Sequence, residues 1–143
     1  MFSGDDVFFR SLRSIVKKMH RLGDTALSAY GIGHAEMRLL LLLYGEDGRP
    51  QESLVAGQVV DRTNVGRSLK KLEELGYVER RKSPEDGRAK LVFLTERGRA
   101  LQASVLSVKH DIEAKVTSGI SGEELRVVSK ILEKMDKKLS GGV

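Results

Sequence analysis

Residues 61–94 read DRTNVGRSLKKLEELGYVERRKSPEDGRAKLVFL, and within this stretch the hydrophobic period changes from that of a helix to that of a strand. Val65, Leu69 and Leu72 recur at helical spacing. Gly76 supplies a helix stop, and residues 77–82 and 89–94 read as paired strands. Between them, Ser83-Pro84-Glu85-Asp86-Gly87-Arg88 has the chemistry of a turn. A polar, cationic helix that runs directly into a short basic hairpin can touch DNA twice. The helix can enter a groove, and the hairpin can reach the backbone beside it.

At 100° per residue, Thr63, Asn64, Arg67, Ser68 and Lys71 share an arc of about 140°. Val65, Leu69 and Leu72 lie on a separate arc, so one side can anchor the helix while the other faces a groove. Arg67 suits the two acceptors of a guanine edge and Asn64 an adenine; Thr63 and Ser68 suit bases or phosphates. Arg62 falls outside the arc and is assigned to phosphate or to an acidic partner, and Lys71 to phosphate. In the hairpin, Lys82 and Lys90 add charge, Arg88 projects from the tip where it can enter a minor groove, and Asp86 is placed to aim it. The competing reading is a solvated helix face followed by an edge strand blunted by Arg80, Arg81 and Lys82.

Charge supports the first reading. The chain carries a net +5, and residues 62–90 hold nine Lys/Arg against five Asp/Glu, so about a fifth of the length carries most of the excess. There is no cysteine, which excludes disulfides, thiolate catalysis and a thiolate zinc site. His20, His34 and His110 are scattered, and neither a metal nor another cofactor is implied. No Ser/His/Asp set, phosphate-binding glycine loop or paired catalytic carboxylates are evident, so an enzyme is not expected. The first residues lack a signal-peptide core, and the longest apolar run, residues 39–44, is too short to span a bilayer. The expectation is a cytoplasmic protein with no membrane partner.

Helical periodicity dominates elsewhere. Ser3 with Asp6 reads as a capping box opening a helix over 3–26, with Phe8, Leu12, Ile15, Met19, Leu22 and Ala26 on one stripe. Gly31 and Gly33 break it. A helix over about 34–44 carries Met37 and five consecutive leucines, 39–43, and should be the central buried element. Residues 45–50 read as a turn-rich connector, residues 51–57 as a short helix, and Asp61 as the cap of the cationic helix. Thr95 caps a long helix over 95–117 with Leu101, Val105, Val108, Ile112 and Val116 in line. Ser121 and Glu124 form a capping box for a last helix, 121–139, with Leu125, Val128, Leu132, Met135 and Leu139. The terminal stripes need partners, which each other and a second copy of the chain would provide.

The runs Leu72-Glu73-Glu74-Leu75-Gly76-Tyr77-Val78-Glu79-Arg80, Pro84-Glu85-Asp86-Gly87-Arg88-Ala89-Lys90 and Leu94-Thr95-Glu96-Arg97-Gly98 strongly resemble the MarR family of bacterial and archaeal transcription regulators. The resemblance covers nearly the whole chain. It implies a mainly α fold with a small two- to three-stranded β-wing: one domain, with a winged helix-turn-helix at about 34–94 and dimerisation helices at about 1–30 and 95–143. It further implies an obligate homodimer on double-stranded DNA with a pseudo-palindromic operator, its recognition helices about 34 Å apart. Arg88 would enter the minor groove, oriented by Asp86. Relatives commonly repress a neighbouring operon and release DNA when a small aromatic or anionic ligand enters a pocket; Met19, Tyr30, Met37 and Tyr44 are candidates to line one.

The chain departs from the family at three places. Gln58-Val59-Val60 occupies a turn where relatives often have glycine. Gly66 lies inside the recognition helix, at a cost of about 1 kcal/mol relative to alanine. Gly31-Ile32-Gly33 replaces a frequent Leu-Thr and predicts a looser joint. The first two departures are the best support for the alternative, a winged-helix protein-interaction module that has lost DNA binding.

Overall fold

The computed structural model describes residues 6–56 and 62–140. The expected caps Ser3 and Asp61 and the turn at Gln58-Val59-Val60 lie outside these residues. The elements run α1 (Val7–Leu27), a 3₁₀ turn (Ser28–Tyr30), α2 (His34–Gly45), β1 (Arg49–Pro50), α3 (Gln51–Ala56), α4 (Arg62–Glu74), β2 (Val78–Lys82), β3 (Lys90–Leu94), α5 (Glu96–Ala100), α6 (Gln102–Thr117) and α7 (Gly122–Ser140). They fall into two compact units, residues 1–112 and 113–143.

The core of the first unit is built on α2, as its run of leucines demands. Leu39, Leu40 and Leu43 are buried with Leu27, Leu54, Val65, Leu69, Leu72, Val92 and Val105, and Leu41 and Leu42 pack at its margin. Asp6 caps α1 by accepting from the Phe8 amide at 2.8 Å. The joint at Gly31-Ile32-Gly33 is not loose. Ile32 is buried, Gly31 takes a left-handed φ of 78°, and a side chain at Gly33 would strike the Asp24 carboxylate. That carboxylate accepts from the His34 amide at 2.8 Å, and Glu36 accepts from the Gly33 amide at 2.9 Å. The α1–α2 corner is therefore held from both sides.

The sheet has three antiparallel strands in the order β1-β3-β2. Its third member comes from the stretch read as a connector: Arg49 and Pro50 pair with Val92 and Leu91. Two residues cannot announce a strand, and they become one only because β3 offers an edge. Asp47 supports the join, accepting from the Leu94 amide at 2.8 Å and the Gly48 amide at 2.9 Å.

Gly76 ends α4 in a left-handed conformation (φ 82°), with Gly76 and Tyr77 amides donating to the Glu73 and Leu72 carbonyls at 3.0 and 2.9 Å. The Leu-Thr-x-x-Gly run builds the next joint. The Thr95 hydroxyl donates to the Gly76 carbonyl at 2.6 Å and accepts from the Gly98 amide at 3.0 Å. Gly98 lies so close to the Tyr77 carbonyl that an added Cβ would sit 2.1 Å from its oxygen. Its own carbonyl accepts from the Tyr44 hydroxyl at 2.7 Å. The long helix expected over 95–117 is consequently broken: the tethered first turn tightens, the Leu101 amide donates to the Gly98 carbonyl at 3.3 Å, and α6 starts afresh at Gln102.

In α7 the predicted capping box is present, with Ser121 and Glu124 exchanging hydrogen bonds at 2.9 and 3.1 Å. Its apolar stripe, Leu125, Val128, Leu132, Met135 and Leu139, is exposed.

Gly98→Ala should destabilise the fold by about 2 kcal/mol, the scale of forced overpacking, because the clash is with backbone. Urea unfolding of this variant beside Gly66→Ala, whose added Cβ meets no described atom within 4 Å, checks it. Equal stability losses would contradict the assignment.

Candidate nucleic-acid interface

Val65, Leu69 and Leu72 are each at most 1% exposed, and they fix the rotation of α4. With that edge buried, Thr63, Asn64, Arg67 and Lys71 are exposed and Ser68 is half-buried. The five residues of the predicted arc thus lie on the outer side of one helix. Arg67 forms no ion pair among the described residues. Two predicted contacts are engaged within the protein. Arg62 pairs with Glu52 of α3, the acidic partner that its position allowed. Lys71 approaches Glu36 at 3.6 Å; the Glu36 side chain is only 8% exposed and also holds the Gly33 amide.

The wing places Lys82 opposite Lys90 in the β2–β3 register, with both exposed. Like charges directly opposed on an antiparallel pair repel, and an anion between them relieves the repulsion. Asp86 acts on the backbone of the tip. Its carboxylate accepts from the Arg88 amide at 3.0 Å, and its carbonyl accepts from the Ala89 amide at 3.0 Å. The expected side-chain pairing between Asp86 and Arg88 is not formed. Asp86 shapes the turn, and the Arg88 guanidinium projects, exposed, from a tip whose geometry is set.

Arg80 has a different job from its neighbours in the basic run. It grips Glu73 through Nη2 at 2.8 Å and Nε at 3.4 Å, and its Nη1 reaches Gln51 at 3.4 Å. This strap ties α4, α3 and β2 together. The hydrogen bond from Arg80 holds the Glu73 carboxyl below its ordinary range. Arg81 lies over the Phe93 ring, 4.3 Å from its centroid, and pairs with Glu79. Sequence spacing could not sort these adjacent arginines, because their partners come from other elements.

Two hollows flank α2. The outer one, about 250 Å³, lies between α2 and α4 and is lined by His34, Ala35, Arg38, Leu39, Asn64, Val65, Arg67 and Ser68. The inner one, about 300 Å³, has Val16, Met19, Met37 and Ile112 on its apolar side and His20, His34 and Arg38 on its polar side. The four pocket candidates separate here. Met19 and Met37 line the inner hollow, whereas Tyr30 and Tyr44 are spent on joints: Tyr30 donates to the Ser104 hydroxyl at 3.2 Å and Tyr44 to Gly98. Burial, with Tyr77 nearby, pushes the Tyr44 hydroxyl up to about 12. His20, His34 and Arg38 were not among the candidates, although Arg38 stands as a lone cation in an otherwise apolar stretch. The imidazoles of His20 and His34 stack at 3.9 Å with planes 9° apart, and Asp24 accepts from His34 at Nδ1 (2.8 Å). Among the described residues no group of three or more His, Cys, Asp or Glu is placed to hold a metal.

The MarR family model matches residues 30–89, the span from the α1–α2 corner to the wing tip. A Bacillus subtilis (strain 168) protein, the uncharacterized HTH-type transcriptional regulator YdgJ, is 36% identical over 110 residues, covering 77% of this chain and 67% of its own. The chain belongs to the MarR family. It is a transcriptional regulator, not an enzyme. The crystal structure of a MarR transcriptional regulator from Methanosarcina mazei Go1 superimposes with a TM-score of 0.85 at 26% identity, covering 99% of this chain and 94% of that one. A MarR protein from Peptoclostridium difficile shares the fold at TM-score 0.90 and 19% identity, covering 99% and 94%. The fold of the chain is thus that of the winged-helix MarR proteins. No helix among the described residues is long and apolar enough to cross a membrane.

Burial, followed by the charges of His34 and Arg38, lowers the His20 pKa from its ordinary 6.5, with Asp24 opposing. The unfolded chain therefore binds more protons near that pH, and stability should fall as pH drops from 7.5 to 5.5. Asp24 is also lowered; burial raises it, but the His34 hydrogen bonds outweigh that, so its contribution is lost only on acidification through the carboxylate range. His20→Phe keeps the stack and removes the titration. Thermal melts across this window should show a shallower pH dependence for the variant; an unchanged slope would exclude His20 as its source.

Proposed function

We propose that this MarR-family regulator is a homodimeric, sequence-specific DNA-binding repressor of a nearby operon, acting in the cytoplasm and released from DNA by a small effector. The observation that carries this reading is the pairing of two elements. The α4 helix buries its apolar edge and turns Thr63, Asn64, Arg67 and Ser68 outward, and the wing presents Arg88 from a fixed tip. The first set has the chemistry to read base edges, and Arg88 that to probe a minor groove. Arg62, Lys71, Lys82 and Lys90 would add salt-sensitive affinity, with Arg62 and Lys71 first leaving their intramolecular carboxylates. A pseudo-palindromic operator follows from two-fold symmetry.

The exposed stripe of α7 and the exposed Val7, Phe9 and Ile15 of α1 support dimerisation through residues of about 1–30 and 95–143, since such surface is costly to leave in water. The inner hollow supports an effector that combines an apolar body with negative charge. Its walls carry apolar side chains, two imidazoles and a guanidinium, and no carboxylate among the described residues.

Binding to duplex DNA flanking its own gene should weaken steeply with salt, the logarithmic slope being about −0.9 per phosphate neutralised. A flat salt response, or no binding near 50 mM salt, would sink the reading. Arg88→Ala should lower affinity about tenfold, the scale of one charge-assisted contact, without changing the melting temperature. Sedimentation should give twice the 15.8 kDa chain mass, and Leu132→Glu on the α7 stripe should give a folded monomer that binds DNA far more weakly. A Leu132→Glu dimer would place the interface elsewhere.

A further inference from the structure

We propose that Arg38 couples effector to DNA: its one guanidinium serves either an anion in the inner hollow or a DNA phosphate at the outer one, and not both. This rests on the DNA-binding reading above. Arg38 sits on α2 and lines both hollows; the outer one is bordered by Asn64, Arg67 and Ser68 and the inner one by Met19 and Met37. An anion in either place therefore meets the same side chain.

Arg38 is also uncommitted. Arg62, Lys71, Arg80, Arg81 and Arg99 each have a carboxylate within ion-pair range, and Arg38 has none among the described residues. It is half-buried, so its charge is partly desolvated and answered by no acid, which favours an incoming anion more than a fully hydrated surface arginine would. A guanidinium can grip a carboxylate or a phosphate with two parallel hydrogen bonds, but its fork can face only one of them at a time.

Among the described residues, His34 and Arg38 alone are common to the two linings. His34 is anchored, since Asp24 accepts from both its amide and its ring at 2.8 Å. Arg38 is left as the shared residue able to swing on its own side-chain torsions. An anion drawing it inward removes a cation from beside Arg67 and Asn64, so each ligand must lower affinity for the other by the same factor.

The test uses the full-length protein, duplex DNA flanking its own gene, and benzoate as the probe anion, with benzamide as its neutral counterpart at matched ionic strength. Benzoate should weaken wild-type DNA binding about fivefold or more, within the usual range of coupling factors, and benzamide should not. Arg38→Gln should bind DNA about tenfold more weakly, with a salt slope shallower by about one phosphate contact, and should no longer respond to benzoate. Arg38→Lys, which keeps the charge without the fork, should retain most of the salt slope and lose most of the benzoate response; it carries the test if the glutamine variant does not fold. DNA affinity unchanged in Arg38→Gln, a benzoate effect equal in variant and wild type, or no benzoate effect on the wild type would each overturn the proposal. Wild-type protein that fails to bind DNA without benzoate would instead remove the reading beneath it, a result visible before any variant is made.

Discussion

The outward face of α4 depends on three buried apolar side chains. Val65, Leu69 and Leu72 pack into the core beside the leucines of α2. Each such burial contributes about 1.5–3 kcal/mol, enough to fix a short helix that carries an internal glycine. The rotation of α4 follows from this. Were the edge to slip by one residue, Arg67 would turn 100° and the set Thr63, Asn64, Arg67 and Ser68 would no longer share an outward face.

Rotation alone does not place the wing, and two joints do. Thr95 and Gly98 lock the start of α5 onto the Gly76-Tyr77 backbone at the end of α4, so that the return from β3 meets the exit of that helix. Arg80 then straps β2 to Glu73 and Gln51. Motif residues that look like a functional signature, Leu94-Thr95-x-x-Gly98, are here a mechanical one. They set the spacing between helix and hairpin.

The cations divide by what their surroundings do with them. Arg80 is consumed by structure. Arg62 and Lys71 are paired with glutamates. Lys82 and Lys90 oppose each other, and Arg67, Arg88 and Arg38 have no carboxylate among the described residues.

Local chemistry made much of this legible. The five leucines marked α2 as central, the polar arc of α4 followed from its helical period, and Gly76, the Ser121–Glu124 box and the turn at Asp86-Gly87 acted within a few residues of themselves. Other features depended on residues far apart in the chain. Arg49 and Pro50 became a strand only beside β3, and the helix after Thr95 broke because Gly98 met the Tyr77 carbonyl. Tyr30 and Tyr44 turned to joints instead of a pocket, Asp86 took a backbone amide instead of a guanidinium, and His20 met His34 across a helix corner. The sequence by itself determined the helices, the hairpin and which side of α4 faces out, because these rest on periodicity and nearest neighbours. Only the tertiary structure decided which charges are answered and which hollows they line, because a side chain's partner is set by where distant backbone comes to rest.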